Sequence, residues 1–239
     1  MLTHAARRFA NFVFGGTCLL CRGSADRARG EGLLCAACEG NLPRLDQGGL
    51  CPRCALPCAG GALCGACLAA PPRFDATIAA LAYRFPADVL IQALKFHGTL
   101  AVAVLLGRVL AQRVAGTTPV DAVMPVPLSA ARLRTRGYNQ SMEIARGIAR
   151  TAGLKLEPWL CERTRDTPAQ VDLPHAERTR NVRGAFRCPR PLEGITVAVV
   201  DDVMTTGATL DEIAGELKRV GASRVVNWVA ARTFPPQLQ

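Results

Sequence analysis

No stretch of this chain is apolar enough to cross a bilayer. The nearest approach, 100–106, is cut short by Arg108, whereas a spanning helix needs about 20 apolar residues. The first fourteen residues carry Arg7 and Arg8 followed by Phe9, Phe12, Val13 and Phe14. They lack the long apolar core and small-residue cleavage site of a secretion signal. A short amphipathic docking helix, or a helix packed on the domain, is therefore expected there, in a cytoplasmic protein. Two common nucleotide-binding turns are missing as well: no Gly-Lys-Ser/Thr closes a Walker A loop, and no Gly-x-Gly-x-x-Gly turn occurs. Aromatic residues make up only 5% of the chain. None interleaves with basic residues in the cysteine-rich part, which favours a structural or protein-contact role there over stacking on bases.

What the chain does have is cysteine. Nine of its 11 cysteines fall between Cys18 and Cys67, and eight of those form CxxC pairs: Cys18/Cys21, Cys35/Cys38, Cys51/Cys54 and Cys64/Cys67. Two such turns present four thiolates, the tetrahedral donor set of a structural Zn²⁺ site, so four turns make two sites. Without a secretion signal, a disulfide framework is the weaker alternative. The segment is poor in large apolar residues and rich in Gly and Pro, so metal supplies the stability that its own core cannot. Sequential quartets, Cys18/Cys21/Cys35/Cys38 and Cys51/Cys54/Cys64/Cys67, and an interleaved pairing both satisfy this chemistry, for one or two zinc ions. Cys58 is a spare or a substitute ligand. Cys161 and Cys188 read as ordinary small sheet residues.

With 239 residues, 49% of them hydrophobic, the chain has room for one substantial core beside this accessory module. Pro71-Pro72 marks the exit, which gives a zinc-binding domain over 1–70 and a second domain over 71–239. The formal net charge is +10. Residues 1–70 hold seven Arg against four acids, and two zinc tetrathiolates of about −2 each leave that module near neutral. The surplus lies in 132–190, with thirteen Lys or Arg against six acids. A ligand carrying a phosphate and a diphosphate needs such a field, and so does a single-stranded nucleic acid.

The stretch 194–209 reads Gly-Ile-Thr-Val-Ala-Val-Val-Asp-Asp-Val-Met-Thr-Thr-Gly-Ala-Thr. Residues 195–200 are rich in β-branched apolar residues, with no polar alternation beyond Thr196, as in a strand buried on both faces of a parallel sheet. Asp201 and Asp202 then stand at its carboxyl end, where open α/β sheets bind ligands, and 205–209 turns the chain into a helix. Leu210, Ile213, Ala214, Leu217 and Val220 give that helix an apolar face, and Gly221 closes it. Amides at the helix start, the hydroxyls of Thr205, Thr206 and Thr209, and the room left by Gly207 form a phosphate cradle. Two carboxylates beside it must face a part of the ligand that donates hydrogen bonds or carries a metal. A ribose 5-phosphate meets both demands. The run of apolar strand, Asp-Asp and Thr-Thr-Gly-x-Thr resembles the phosphoribosyl pyrophosphate loop of type I phosphoribosyltransferases.

Upstream, 76–85 reads as a strand and 88–97 as a helix with Val89, Leu90, Ala93 and Leu94 on one face. Lys95 is either solvated or reaches the anionic site, and His97 reads as a capping or packing residue. A helix over 100–114 precedes a strand within 120–128, whose prolines set a turn. Arg132, Arg134 and Arg136 follow as a basic loop with chemistry suited to a diphosphate, ahead of a helix carrying Met142, Ile144, Ala145 and Ile148. A strand is expected at 156–161. The long polar connection after it, from Arg163 through Gln170, Arg178 and Asn181 to Gly184 and Phe186, is a candidate lid.

In order along nearly the whole chain, the CxxC pairs, Leu94-Lys-Phe-His-Gly98, Val126-Pro-Leu with Arg136-Gly-Tyr-Asn-Gln140, Gln170 with Arg178-x-x-Asn181, Gly184-Ala-Phe186 and the Asp-Asp loop resemble the ComF family, the ComFC or GntX-like group. Tyr138 stands where that family often has Phe, and Cys58 has no partner. The resemblance implies an α/β type I phosphoribosyltransferase fold, a parallel-sheet Rossmann-like core, with an amino-terminal double zinc ribbon. It also implies a link with DNA uptake in natural transformation or use of external DNA, and a helicase-like ComFA partner. The alternative is a non-catalytic single-stranded DNA-binding or adaptor protein of the competence machinery, peripheral to the inner membrane. The implied reaction is displacement at the anomeric carbon of phosphoribosyl pyrophosphate, with Mg²⁺ diphosphate leaving. Asp201 and Asp202 are expected on the ribose hydroxyls as the catalytic pair. The segment Val203, Met204, Thr205, Thr206, Gly207, Ala208 and Thr209 is expected on the 5-phosphate, and Arg132 and Arg136 on the diphosphate. No nucleobase pocket is legible, so the acceptor is open.

Overall fold

A computed structural model describes residues 16–25, 32–165 and 182–235. The expected amino-terminal helix, and Gln170, Arg178 and Asn181 of the candidate lid, lie outside the described residues.

Chain order is as follows: β1 (Gly16–Thr17), β2 (Ser24–Ala25), α1 (Ala36–Gly40), α2 (Gly65–Ala69), β3 (Ala76–Ala82), α3 (Ala87–His97), α4 (Leu100–Val114), β4 (Ala122–Pro125), α5 (Ala130–Arg136), α6 (Gln140–Ala152), β5 (Glu162–Arg163), β6 (Phe186–Arg187), β7 (Thr196–Met204), α7 (Ala208–Arg219) and β8 (Arg224–Arg232). Strands β3, β8, β7 and β4, in that spatial order, form a wholly parallel sheet. Its centre is β7 and β8. Val197, Ala198, Val199 and Val200 are fully buried, because helices cover both faces, and this is why the strand shows no polar alternation. α3, α4 and α6 pack on one face and α7 on the other.

Strand β7 runs further than the apolar pattern implies. It continues through both acids to Met204, with Asp201 opposite Val229 and Val203 opposite Ala231 of β8. Backbone pairing therefore grips the acid segment. β8 itself is absent from the sequence-based expectations, although it is the sheet's second central strand.

Both sheet edges are covered, as an exposed parallel edge would invite association. Along β3, the segment between the two cysteine-rich turns pairs antiparallel: Leu45 N–H donates to the Ala80 carbonyl at 3.0 Å and Ala82 N–H to the Pro43 carbonyl at 2.8 Å. Along β4, Val123 exchanges backbone bonds of 2.8 Å with the Lys155 carbonyl and the Glu157 amide. The strand expected at 156–161 is reduced to that single bridge at Leu156. A turn follows, and the extended pair comes later, at β5 with β6.

Two further expectations are corrected. Arg132, Arg134 and Arg136 do not lie in an open loop but on α5, whose start is capped by Ser129 Oγ accepting from Arg132 N–H at 3.4 Å. Gly137, at φ 80°, ends it. Cys161 and Cys188 form a disulfide at the base of the β5/β6 hairpin, where antiparallel pairing brings their Cα atoms to 4.2 Å.

Candidate functional site

The eight CxxC cysteines gather into two quartets, Cys18/Cys21/Cys35/Cys38 and Cys51/Cys54/Cys64/Cys67, with the sulfurs of each quartet within 4.8 Å of one another. The sequential pairing is therefore the one adopted. Sulfurs bound tetrahedrally at about 2.3 Å from zinc stand about 3.8 Å apart. Here Cys21 Sγ lies 3.7 Å from Cys35 Sγ, and Cys54 Sγ lies 3.5 Å from Cys64 Sγ. The donor sets fit zinc. In the second quartet Cys64 N–H donates to Cys51 Sγ at 3.4 Å, which helps hold the thiolate in place. Cys58 belongs to neither quartet.

At the carboxyl end of the sheet, β7, α3, α5, α6 and β5 converge on a cavity of about 460 Å³. Asp201 and Asp202 line it together with Val203, Thr205, Thr209, Lys95, Arg132 and Arg136. Lys95 Nζ lies 2.8 Å from Asp202 Oδ2, so of the two alternatives open for this lysine it is the inward one that holds. Burial works against its ammonium, yet Asp202 and Asp201 outweigh that and raise its pKa. Burial, then repulsion from Asp202, pushes the Asp201 carboxyl up to about 7, against the opposing pull of Lys95 and a hydrogen bond from Ser141. Asp202 N–H donates to Asp201 Oδ1 at 2.9 Å, and Val203 N–H to Asp202 Oδ1 at 2.7 Å. Each acid is thus held by its own backbone as well as by side chains. The lining combines basic and acidic side chains, a set suited to a ligand that carries both anionic groups and hydroxyls or a metal.

Known proteins place the chain. Residues 9–68 match the double zinc ribbon domain family. The DNA utilization protein YhgH of Salmonella typhimurium is 35% identical over 226 residues, covering 92% of this chain and 98% of that protein. Competence protein F of Haemophilus influenzae is 30% identical over 234 residues, with the same coverage. The chain belongs to the ComF family. Among solved structures, glutamine phosphoribosylpyrophosphate amidotransferase from B. subtilis is 26% identical with a TM-score of 0.38, over 54% of this chain and 26% of that one.

The parallel sheet with helices on both faces, carrying its acid pair at the end of a central strand, gives this ComF-family chain a type I phosphoribosyltransferase fold, preceded by a double zinc ribbon. Within its acid loop not every expected residue reaches the cavity. Met204 is 2% exposed and packs in the core. Thr206 Oγ1 accepts from Ala208 N–H at 3.2 Å, shaping the turn, and Gly207 adopts φ 85° to make it. These residues, with Ala208 at the start of α7, set the loop's path while Thr205 and Thr209 face the cavity.

Several lining residues of the ComF-family site were given no ligand role from the sequence, and Ser141, Tyr83 and Thr233 were not singled out at all. Ser141 Oγ donates to Asp201 Oδ1 at 2.9 Å from α6, and Gln140 accepts from Arg136 Nη1 at 2.6 Å. Tyr83, Phe96, Arg163 and Thr233 also border the cavity. Ser141 and Gln140 directly follow Asn139, whose Oδ1 caps α6 and whose Nδ2 donates to the Val126 carbonyl at 2.9 Å. A capping Asn two residues beyond the helix-ending Gly137 was the available signal that the helix start is fixed against the strand end.

Proposed function

We propose that the cavity binds phosphoribosyl pyrophosphate with Mg²⁺ and that the chain is a phosphoribosyltransferase acting in the use or uptake of external DNA. The observation that carries this reading is the meeting, in one cavity, of Asp201 and Asp202 with Lys95, Arg132, Arg136, Thr205 and Thr209. The acids take the ribose hydroxyls. Thr205, Thr209 and the amides of the turn take the 5-phosphate, as helix starts bind anions. Arg132 and Arg136, carried on α5 rather than a loose loop, take the diphosphate through charge-assisted bonds. Mg²⁺ on the donor would neutralise the leaving diphosphate. The protein's share is placement and charge: the acids stand beside the positive charge that develops on the sugar ring as the anomeric bond breaks, and the arginines hold the departing anion. The role in DNA use rests on the names of the relatives, a DNA utilization protein and a competence protein. No helix among the described residues is long and apolar enough to cross a membrane, and a cytoplasmic site of action accords with the donor's chemistry.

Titration calorimetry with the donor, with and without Mg²⁺, tests the binding. The expected affinity is micromolar to millimolar, roughly 4 to 8 kcal/mol, and lost in Asp202→Asn and reduced about tenfold or more in Arg136→Gln. The absence of both binding heat and thermal shift at millimolar donor would overturn the reading. Diphosphate release across a panel of nitrogen acceptors then separates a transferase from a donor-binding adaptor.

A further inference from the structure

Arg232 ends β8 and is buried, at 4% exposure. Its guanidinium has no carboxylate in ion-pair reach among the described residues. It spends its donors on carbonyls instead. Nε donates to the Cys54 carbonyl at 2.9 Å. Nη1 donates to the Met204 carbonyl at 3.0 Å, the Thr233 carbonyl at 2.9 Å, and the Thr205 carbonyl. One side chain therefore joins a ligand residue of the second sulfur quartet to two successive peptide groups of the phosphate loop.

Charge and peptide geometry explain the arrangement. A cation buried without a carboxylate is costly unless another anion compensates. The second sulfur quartet, which the guanidinium adjoins through the Cys54 carbonyl, would supply that compensation when it holds metal. A zinc tetrathiolate carries a net charge of about −2, so a loaded second quartet is the counter-charge of this guanidinium. In a trans peptide the N–H points opposite to the C=O. With the Met204 and Thr205 carbonyls drawn onto Arg232, the N–H groups of Thr205 and Thr206 face away from it, free for an anion. Thr233 N–H adds a second bond to the Met204 carbonyl at 3.1 Å. The first quartet packs elsewhere, in the core grouping of α3 and α4.

We infer that Arg232 is a positioning residue through which the second zinc site, and not the first, holds the phosphate loop in its anion-ready shape. The inference rests on the donor-binding reading of that loop, but its main test does not. Amide hydrogen exchange is followed on the zinc-loaded full chain and after a chelator has stripped the second site, whose loss Cys64→Ser reproduces. Exchange at Thr233 and Ala208, whose amides bond to the Met204 carbonyl and to Thr206 Oγ1 of the loop, rises about tenfold on stripping, in Cys64→Ser and in Arg232→Met, within the usual range of coupling between sites. It stays at the wild-type level in Cys38→Ser, which empties the first site. Unchanged protection across 225–231 of β8 shows that the sheet stays folded. Arg232→Lys keeps the charge without the fork and falls between. The same variants weaken donor affinity about tenfold, and donor slows zinc release from the second site by the same factor in wild type but not in Arg232→Met. Loop exchange that ignores the second zinc, or that responds equally to Cys38→Ser, overturns the inference. If wild type binds no donor, the functional reading falls while the exchange comparison still decides this one.

Discussion

Lys95 Nζ stands 2.8 Å from Asp202 Oδ2, which ties the end of α3 to the acid segment of β7 inside the cavity. Asp202 is 3% exposed, and that lysine is its ion-pair partner. Breaking a buried pair from one side leaves the other charge uncompensated, at a cost of about 3 kcal/mol. Lys95→Met is therefore expected to lower the melting temperature by about 5–10 °C at neutral pH and to weaken donor binding. Substituting Asp202→Asn in the same background should recover much of the lost stability. A melting series on the two single variants and the double checks this, and additive losses would contradict it.

The elevated Asp201 carboxyl predicts a pH signature. Its folded pKa, about 7, lies above the ordinary value of 3.8. The folded chain thus holds a proton between those values that the unfolded chain has released, and stability falls as pH rises through that window. Asp201→Asn removes the effect. The variant's melting advantage over wild type should be absent near pH 4 and grow to about 5 °C by pH 8, while its donor binding is lost. In wild type, donor and Mg²⁺ should bind more tightly at pH 8 than at pH 6, since the ionised pair is the form that receives them. Scanning calorimetry and titration across pH 4–8 read both.

Gly207 sits at φ 85°, and a Cβ there would meet Met204 Cε at 2.7 Å and Phe74 at 3.6 Å. Gly207→Ala pays both backbone strain and a clash with a buried side chain, about 2 kcal/mol in stability. Because Met204 lies directly before the loop threonines, the shift also displaces Thr205, so donor affinity should fall with stability. Chemical denaturation alongside calorimetric titration measures the two together, and an unperturbed affinity would argue against a phosphate at this turn.

Elemental analysis should find about two zinc ions per chain, and about one in either Cys38→Ser or Cys64→Ser. Each quartet's sulfurs lie within 4.8 Å, too tight a set to stay unliganded without loss of the local fold. Strong chelation should therefore loosen the segment that covers β3 through Leu45 and Pro43, exposing a sheet edge and promoting association. Light scattering after chelation tests that consequence.

The central strand with its paired acids, the helix after the turn and the four CxxC turns that hold metal were determined by the sequence, which left the pairing of those turns open. Each is a local pattern: period in the helices, unbroken apolar residues in β7, CxxC spacing in the turns. The pairing of β8 was not legible. Nor were Ser141 on Asp201, the inward turn of Lys95, the disulfide of Cys161 with Cys188, or the bonds of Arg232 to Cys54 and the phosphate loop. Those contacts join residues such as Cys54 and Arg232, 178 positions apart, and a side chain's partner at that range is chosen by how the sheet and helices pack. Only the tertiary structure brings the buried cation, the second sulfur quartet and the loop carbonyls to one point, because desolvation makes their charges and dipoles satisfy one another there.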